Sequence, residues 1–121
     1  MTSNAELSAN ISFGDFQKVD LRVGTIVSAE ANASARVPAY KVRVDLGESI
    51  GVKQSSAQIT KFYSPDSLVG KQVICVVNFE PKNIAGFMSE ILVCGVYNGG
   101  DKASVVLLQP ERPAKNGSKI G

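Results

Sequence analysis

Residues 40–46 of this chain read Tyr-Lys-Val-Arg-Val-Asp-Leu, and this stretch decides the fold class. Apolar and charged residues alternate along it without interruption, which is the pattern of a β-strand with one face buried and the other in solvent. Residues 47–51 then have the length of a hairpin connection, and Ile50, Val52 and Gln54 continue as a shorter strand. The side chains that the pattern directs toward the core are Tyr40, Val42, Val44 and Leu46.

The sequence before this stretch predicts a long first strand at residues 20–31. Gly24 inside that strand predicts a bend or bulge, which a small barrel needs in order to curl. Residues 1–11 are polar and without pattern, so we expect a flexible N-terminal arm, followed by Phe13 and Phe16 in a short turn against the core. The residues expected on one face of the first strand are Leu21, Val23, Val27 and Ala29.

The sequence after the third strand predicts a short helix within residues 56–63, which Ser55 or Ser56 would cap and which would end before Pro65. Residues 66–70 are then expected to return the chain to a sheet. This places one helix between the third and fourth strands.

Two apolar runs, at residues 73–77 and 91–96, are too short for typical helices and are rich in β-branched residues, so they predict buried strands. Residues 98–101, Asn-Gly-Gly-Asp, predict a turn before a last strand at residues 105–108. An irregular tail is expected after Pro110. Six strand segments and one helix in 121 residues predict a single all-β domain, a five-stranded Greek-key OB-fold barrel with short terminal extensions. A β-sandwich uses a similar number of strands.

The composition excludes several kinds of chemistry. The chain has no histidine, so it has no His-based catalytic triad and no His metal site. Its two cysteines lie in apolar runs and predict buried free thiols rather than a disulfide framework. No Ser-x-x-Lys or Gly-x-Ser-x-Gly motif is present. We therefore expect a protein with no catalytic residues, no metal and no cofactor.

The N-terminus has neither a basic segment nor an apolar segment of the kind found in signal peptides. No stretch approaches the roughly 18 apolar residues that a membrane helix needs. We therefore expect a cytoplasmic protein that does not insert into a membrane.

The basic residues suggest binding. The net charge is only +2, yet seven basic and four acidic residues lie between positions 36 and 82. If the second and third strands share a face, the stripe of basic residues would contain Arg22, Lys41, Arg43 and Lys53, with Tyr40 and Phe79 nearby for stacking. OB-folds bind oligonucleotides across this face. The alternative interpretation is an ordinary solvated strand face.

The loop at residues 82–90 carries Ile84, Phe87 and Met88 where most loops are polar. These side chains either pack under the barrel or line an apolar pocket for a partner.

Several motifs, in this order along the chain, resemble the CsaA branch of the tRNA-binding domain family. They are Val-Asp-Leu-Arg-Val-Gly-Thr-Ile (19–26), Arg-Val-Pro-Ala-Tyr-Lys (36–41), Lys-Gln-Ser-Ser-Ala-Gln-Ile-Thr (53–60), Gly-Lys-Gln-Val (70–73), Val-Asn-Phe-Glu-Pro-Lys (77–82) and Gly-Phe-Met-Ser-Glu-Ile-Leu-Val (86–93). The resemblance spans about residues 13–120. Val37 and Glu80 depart from the family pattern, and both lower the positive charge.

The resemblance implies an OB-fold, a homodimer, affinity for tRNA and a chaperone role linked to protein export. The N-terminal arm and the tail at residues 110–121 are the expected dimer interface, and residues 12–121 are the expected domain. The alternative is a tRNA-binding protein that assists aminoacylation and has no chaperone role. The residues assigned to RNA binding are Arg22, Arg36, Lys41, Lys53, Gln58, Asn78, Lys82, Ser89 and Glu90. The residues assigned to the binding of unfolded or preprotein peptide segments are Tyr40, Phe79, Ile84, Phe87 and Met88.

Overall fold

A computed structural model describes residues 6–121, so the first five residues of the expected arm lie outside the described residues. The strands are β1 (Leu21–Ala31), β2 (Tyr40–Asp45), β3 (Val52–Ala57), β4 (Gln72–Val76), β5 (Lys82–Ile84), β6 (Phe87–Ser89), β7 (Leu92–Val93), β8 (Gly95–Tyr97) and β9 (Val105–Leu107). Two short helices are α1 (Phe13–Gln17) and α2 (Pro65–Leu68). None of the helices in these residues has the length and apolarity needed to cross a membrane.

Five strands form one antiparallel sheet in the order β3-β2-β1-β4-β7. The sheet curls until its two ends meet, where the Glu90 N–H donates a hydrogen bond of 2.8 Å to the Gln54 carbonyl oxygen. β5 and β6 form a hairpin beside this closure, and β8 and β9 form another. This confirms the predicted five-stranded OB-fold barrel.

The alternation in β2 is confirmed. Val42, Val44 and Leu46 are fully buried, and Tyr40 packs against the same core. The partner strands supply the other walls of the core, with Ile26 from β1 and Val73 from β4 fully buried.

The single face expected for β1 is wrong. Leu21 and Val23 lie on the side of the sheet opposite Ile26, whereas Ala29 packs against the core because a β-bulge comes between them. The pairing register with β2 shifts between Ile26 and Ser28, so Val27 is the extra residue of a β-bulge. Val27 is 46% exposed as a result, whereas Ile26 is fully buried. The bulge lies three residues after Gly24, which pairs regularly with Val73 of β4.

The helix expected within residues 56–63 is also wrong, although one helix does lie between β3 and β4. β3 continues to Ala57, which pairs with Tyr40, and Ser55 and Ala57 point into the barrel. The helix α2 begins instead at Pro65, where the side chains of Ser64 and Ser67 form a reciprocal capping box. Residues 66–70 therefore do not return the chain to a sheet.

The segments after β4 form more, and shorter, strands than the sequence predicts. The apolar run at residues 91–96 breaks at Cys94 into β7 and β8. The loop before it contains the β5–β6 hairpin, whose two-residue turn, Ala85 and Gly86, has positive φ at both positions. The turn predicted at residues 98–101 is confirmed between β8 and β9.

The C-terminal tail forms no regular element, as expected, but it is held to the barrel. β2 pairs with β1 only from Thr25 onward, which leaves one edge of the first half of β1 open. The tail covers this edge through an isolated bridge between Arg22 and Lys119, where Gly117 N–H donates to Val23 O at 2.7 Å and Ile120 N–H donates to Leu21 O at 2.9 Å.

The N-terminal turn differs as well. Residues 13–17 form α1, which Ser12 and Asp15 cap reciprocally. The rings of Phe13 and Phe16 lie 6.3 Å apart and contact each other, and Phe13 is 70% exposed rather than packed on the core.

Candidate nucleic-acid interface

The outward faces of β2 and β3 form one surface. In the antiparallel register Lys41 pairs with Ser56 and Arg43 pairs with Gln54, and paired residues point to the same side of a sheet. We call Lys41, Arg43, Gln54 and Ser56 the β2–β3 face. Neither cation forms an ion pair with a carboxylate anywhere in residues 6–121. The carboxylates of Glu30, opposite Lys41 in β1, and of Asp45 share this side of the sheet but form no ion pair with either cation. This surface therefore presents two cations that are not held in ion pairs.

The basic stripe expected from the sequence is wrong in two of its four members. Lys53 pairs with the buried Val44, so it lies on the opposite side of β3 from Gln54. Arg22 precedes Thr25 by three residues in a regular stretch of β1, and Thr25 pairs with Asp45 on the side of Arg43. Arg22 therefore points to the other side.

Arg22 is occupied within the fold. Its guanidinium donates to the Asp20 carboxylate at 2.7 Å and to the Gly117 carbonyl oxygen at 3.1 Å. The hydrogen bond from Arg22 lowers the pKa of the Asp20 carboxyl. Through these contacts Arg22 holds the C-terminal tail against β1.

Ser89 and Glu90 bond to the backbone of β3. The Ser89 hydroxyl accepts from the Ser56 N–H at 3.1 Å, and the Glu90 carboxylate accepts from the Gln54 N–H at 3.1 Å. The Gln54 amide in turn donates to the Met88 carbonyl oxygen at 2.8 Å. These bonds fix the β5–β6 hairpin beside the β2–β3 face. Sequence reasoning missed Gln54 because it assigned the wrong phase to β3.

The apolar residues of the hairpin separate into two environments. Phe87 is buried, and the Lys41 ammonium lies 5.5 Å from the centre of its ring, within the range of a cation–π contact. Met88 is 44% exposed. Lys82 is exposed and pairs with Ser89 across the hairpin. The structure thus places Lys82 and Met88 at the border of the β2–β3 face.

The remaining assigned residues lie elsewhere. The Asn78 side chain donates to Lys18 O at 2.7 Å and accepts from the Asp20 N–H at 3.0 Å, so it ties the end of α1 to the barrel. Phe79, next to it, is exposed, as is Arg36 in the loop between β1 and β2. The Tyr40 hydroxyl donates to the Tyr63 carbonyl oxygen at 2.7 Å.

A cavity of about 340 Å³ lies between the end of β3 and the β8–β9 hairpin. Ile84 and Gln58 are the sequence-assigned residues that reach it. The other lining residues include the apolar Ile59, Leu92, Val93 and Val105 and the polar Ser55, Ser56, Tyr97 and Lys102. The sequence did not reveal this cavity, since its walls come from four separate stretches of chain. A larger space, about 670 Å³, lies beside Arg22 between residues 46–50 and 115–118.

The two cysteines are free, and neither is a reactive thiolate. Cys75 is buried, and burial raises the pKa of its thiol to about 12. Burial also raises the pKa of the Cys94 thiol, which is partly exposed.

Comparisons with known proteins agree with this geometry. Residues 21–119 match the family described as "Putative tRNA binding domain". The crystal structure of chaperone CsaA from Bacillus anthracis is 50% identical with a TM-score of 0.86, and that of CsaA from Picrophilus torridus is 45% identical with a TM-score of 0.85. Each alignment covers 93% of this chain and 100% of the other.

Longer proteins contain a similar segment. The methionine–tRNA ligase of Chlorobium chlorochromatii is 41% identical over 118 residues, which are 98% of this chain but only 16% of the ligase. The match to the family over residues 21–119 covers most of the chain, and this protein belongs to the tRNA-binding domain family.

Proposed function

We propose that this protein is a non-catalytic module that binds tRNA through the β2–β3 face and Lys82 of the adjoining hairpin. The observation that carries the proposal is that two cations, Lys41 and Arg43, lie on one face of an OB-fold and neither is held in an ion pair. The family match supports tRNA as the ligand. Arg22, Asn78, Ser89 and Glu90 support the site by holding the tail, α1 and the hairpin in place.

The chemistry of this face favours contact with the RNA backbone. Phe87 is buried beside Lys41, and Tyr40 packs against the core, so neither ring is free to stack on a base. Cations and amides remain, and these recognise phosphates and the shape of folded RNA. Three phosphate contacts predict that log K falls with log salt concentration with a slope of roughly −2 to −3.

We expect Arg43→Gln to weaken binding of a tRNA transcript and to reduce the steepness of the salt dependence by about 0.7 to 0.9, the value for one lost phosphate contact. The measurement is a titration at several salt concentrations. Lys18→Gln is the control, because Lys18 is exposed, is bonded to Asp15 and carries the same charge outside both the β2–β3 face and the tail. Equal slopes for the two variants would show that the β2–β3 face does not contact the RNA.

We propose peptide binding as a second function, with the 340 Å³ cavity as its site. The supporting observations are the apolar walls of the cavity and the similarity to the two CsaA chaperones. The cavity has the size of a small ligand pocket. Of the residues assigned to peptide binding, Ile84 lines this cavity, while Phe79 and Met88 are exposed outside it.

Ile84→Asp is expected to reduce protection of an aggregating client protein by about tenfold or more, because a carboxylate in an apolar wall repels apolar side chains. The assay is light scattering of a heat-denatured client. Met88→Asp introduces the same charge in the same hairpin outside the cavity walls, and should retain most of the protection. If Met88→Asp abolishes protection and Ile84→Asp does not, the hairpin surface rather than the cavity holds the client.

We further propose that the protein works as a homodimer in the cytoplasm, with the tail at residues 110–121 contributing to the interface. Two copies of a site on one dimer raise the avidity for a long client or RNA. The alternative function, assistance to aminoacylation without a chaperone role, predicts tRNA binding with no client protection at all.

A further inference from the structure

The 340 Å³ cavity has a single charged residue among its described lining residues. Lys102 lies in the turn between β8 and β9, it is exposed, and it forms no ion pair within residues 6–121. Every other wall residue is apolar or neutral. A lone ammonium group beside apolar walls favours a ligand that pairs an apolar side chain with a negative charge.

The neighbouring acidic group does not compensate Lys102. The Asp101 carboxylate accepts from the Ser104 hydroxyl at 2.7 Å and from the Ala103 N–H at 3.0 Å, and the Lys61 ammonium lies 3.8 Å away. The bonds from Ser104 and Ala103 lower the pKa of the Asp101 carboxyl, so it stays ionised and engaged in the turn. Lys61 also donates to the buried Ser104 hydroxyl at 2.7 Å. This cluster fixes the turn that carries Lys102.

The outer edge of β3 is closed by the hairpin and ends at the cavity. The N–H groups of Gln54 and Ser56 point away from β2 and donate to the Glu90 and Ser89 side chains. β3 ends at Ala57, and the next two residues, Gln58 and Ile59, line the cavity. A peptide in the cavity therefore contacts the residues just beyond β3, the apolar walls and Lys102.

We infer that this cavity selects extended apolar peptide segments that carry an acidic side chain beside the apolar residues, and that Lys102 sets this preference. The inference rests on the proposed peptide site and adds to it the chemical class of the ligand. Its basis is charge complementarity between an acidic side chain and Lys102, which lies beside the apolar walls of the cavity.

The test uses three short fluorescent peptides with the same aliphatic core, flanked by aspartates, serines or lysines. In low salt we expect the aspartate peptide to bind about 3- to 5-fold more tightly than the serine peptide, the range for a partly exposed ion pair. The lysine peptide should bind more weakly than both. Lys102→Glu should reverse the order of the three peptides. Lys18→Glu, which makes the same charge change at an exposed residue that lines neither cavity, should leave the order unchanged.

The outcomes separate the inference from the function on which it rests. Equal binding of the three peptides to the unmodified protein overturns the charge preference and leaves the peptide site standing. A preference that survives Lys102→Glu overturns the assignment to Lys102. Failure of all three peptides to bind overturns the peptide site and the inference together. Lys102→Gln, which removes the charge without adding another, should make the three affinities converge and so supports the assignment independently.

Discussion

Replacing Gly24 by alanine is expected to destabilise the protein by about 3 kcal/mol, near the upper end for overpacking of a core. A Cβ at this position would overlap the Val44 side chain and would lie 2.8 Å from Leu46 Cδ2 and 3.0 Å from the Asp45 carbonyl oxygen. Val44 and Leu46 are fully buried and have no free space to enter. The adjacent β1–β2 pairing prevents the backbone from moving aside.

Thermal unfolding followed by circular dichroism measures this effect. In a domain of this size about 3 kcal/mol corresponds to a fall in melting temperature of roughly 10 °C. Gly14→Ala is the control, because its Cβ would meet only Ser12 Oγ at 3.6 Å, an ordinary contact. It should melt like the unmodified protein. A Gly24→Ala protein that melts within a degree or two of the control would show that the β1–β2 contact yields easily.

The sequence predicted the barrel because β2 alternates so regularly that its buried face is unambiguous. It misplaced the helix because Ser55, Ser56 and Ser64 are all suitable N-caps, and local propensity does not distinguish them. The distinction comes from pairing across the sheet, where Ala57 lies opposite Tyr40 and extends β3. Such a contact joins residues that are distant in sequence, so a local sequence pattern cannot predict it.

The bulge in β1 shows the same limit. Ile26 and Val27 are both branched and apolar, so either satisfies the buried face. The shift of register against β2 decides that Ile26 is buried. A register shift of one residue moves every later side chain of the strand to the other face of the sheet. A prediction that misses the bulge therefore assigns those side chains to the wrong face.

The sequence predicted which types of residue form the candidate site better than it predicted the side of the sheet on which each residue lies. Lys41 is on the face that the alternation indicated, whereas Lys53 and Arg22 are on the other side. Ser89 and Glu90 were assigned to RNA, yet their side chains satisfy backbone groups of β3. Polar residues in a motif can hold a site together without touching its ligand, and only the hydrogen-bond partners distinguish the two roles.

Removing residues 114–121 is expected to destabilise the protein by about 4 kcal/mol or more, because eight hydrogen bonds at about 0.5 to 1.5 kcal/mol each join this segment to the barrel. Three join the backbones of the tail and β1, two join the Gln72 amide to Ala114, two run from Thr25 and Gln72 to the Asn116 side chain, and one runs from Arg22 to Gly117. The truncation also leaves the Arg22–Asp20 pair and one edge of β1 open to water.

Melting at several protein concentrations separates this role of the tail within one chain from its proposed role between chains. A dimer melts at a higher temperature as its concentration rises, because association stabilises only the folded state. If the tail serves both roles, the truncated protein melts lower at every concentration, and light scattering reports a monomer. A dimer that survives truncation would place the interface elsewhere, with the exposed Val96 and Tyr97 of β8 the first residues to test. A melting temperature within about 2 °C of the full chain would contradict the stabilising role of the tail at the edge of β1.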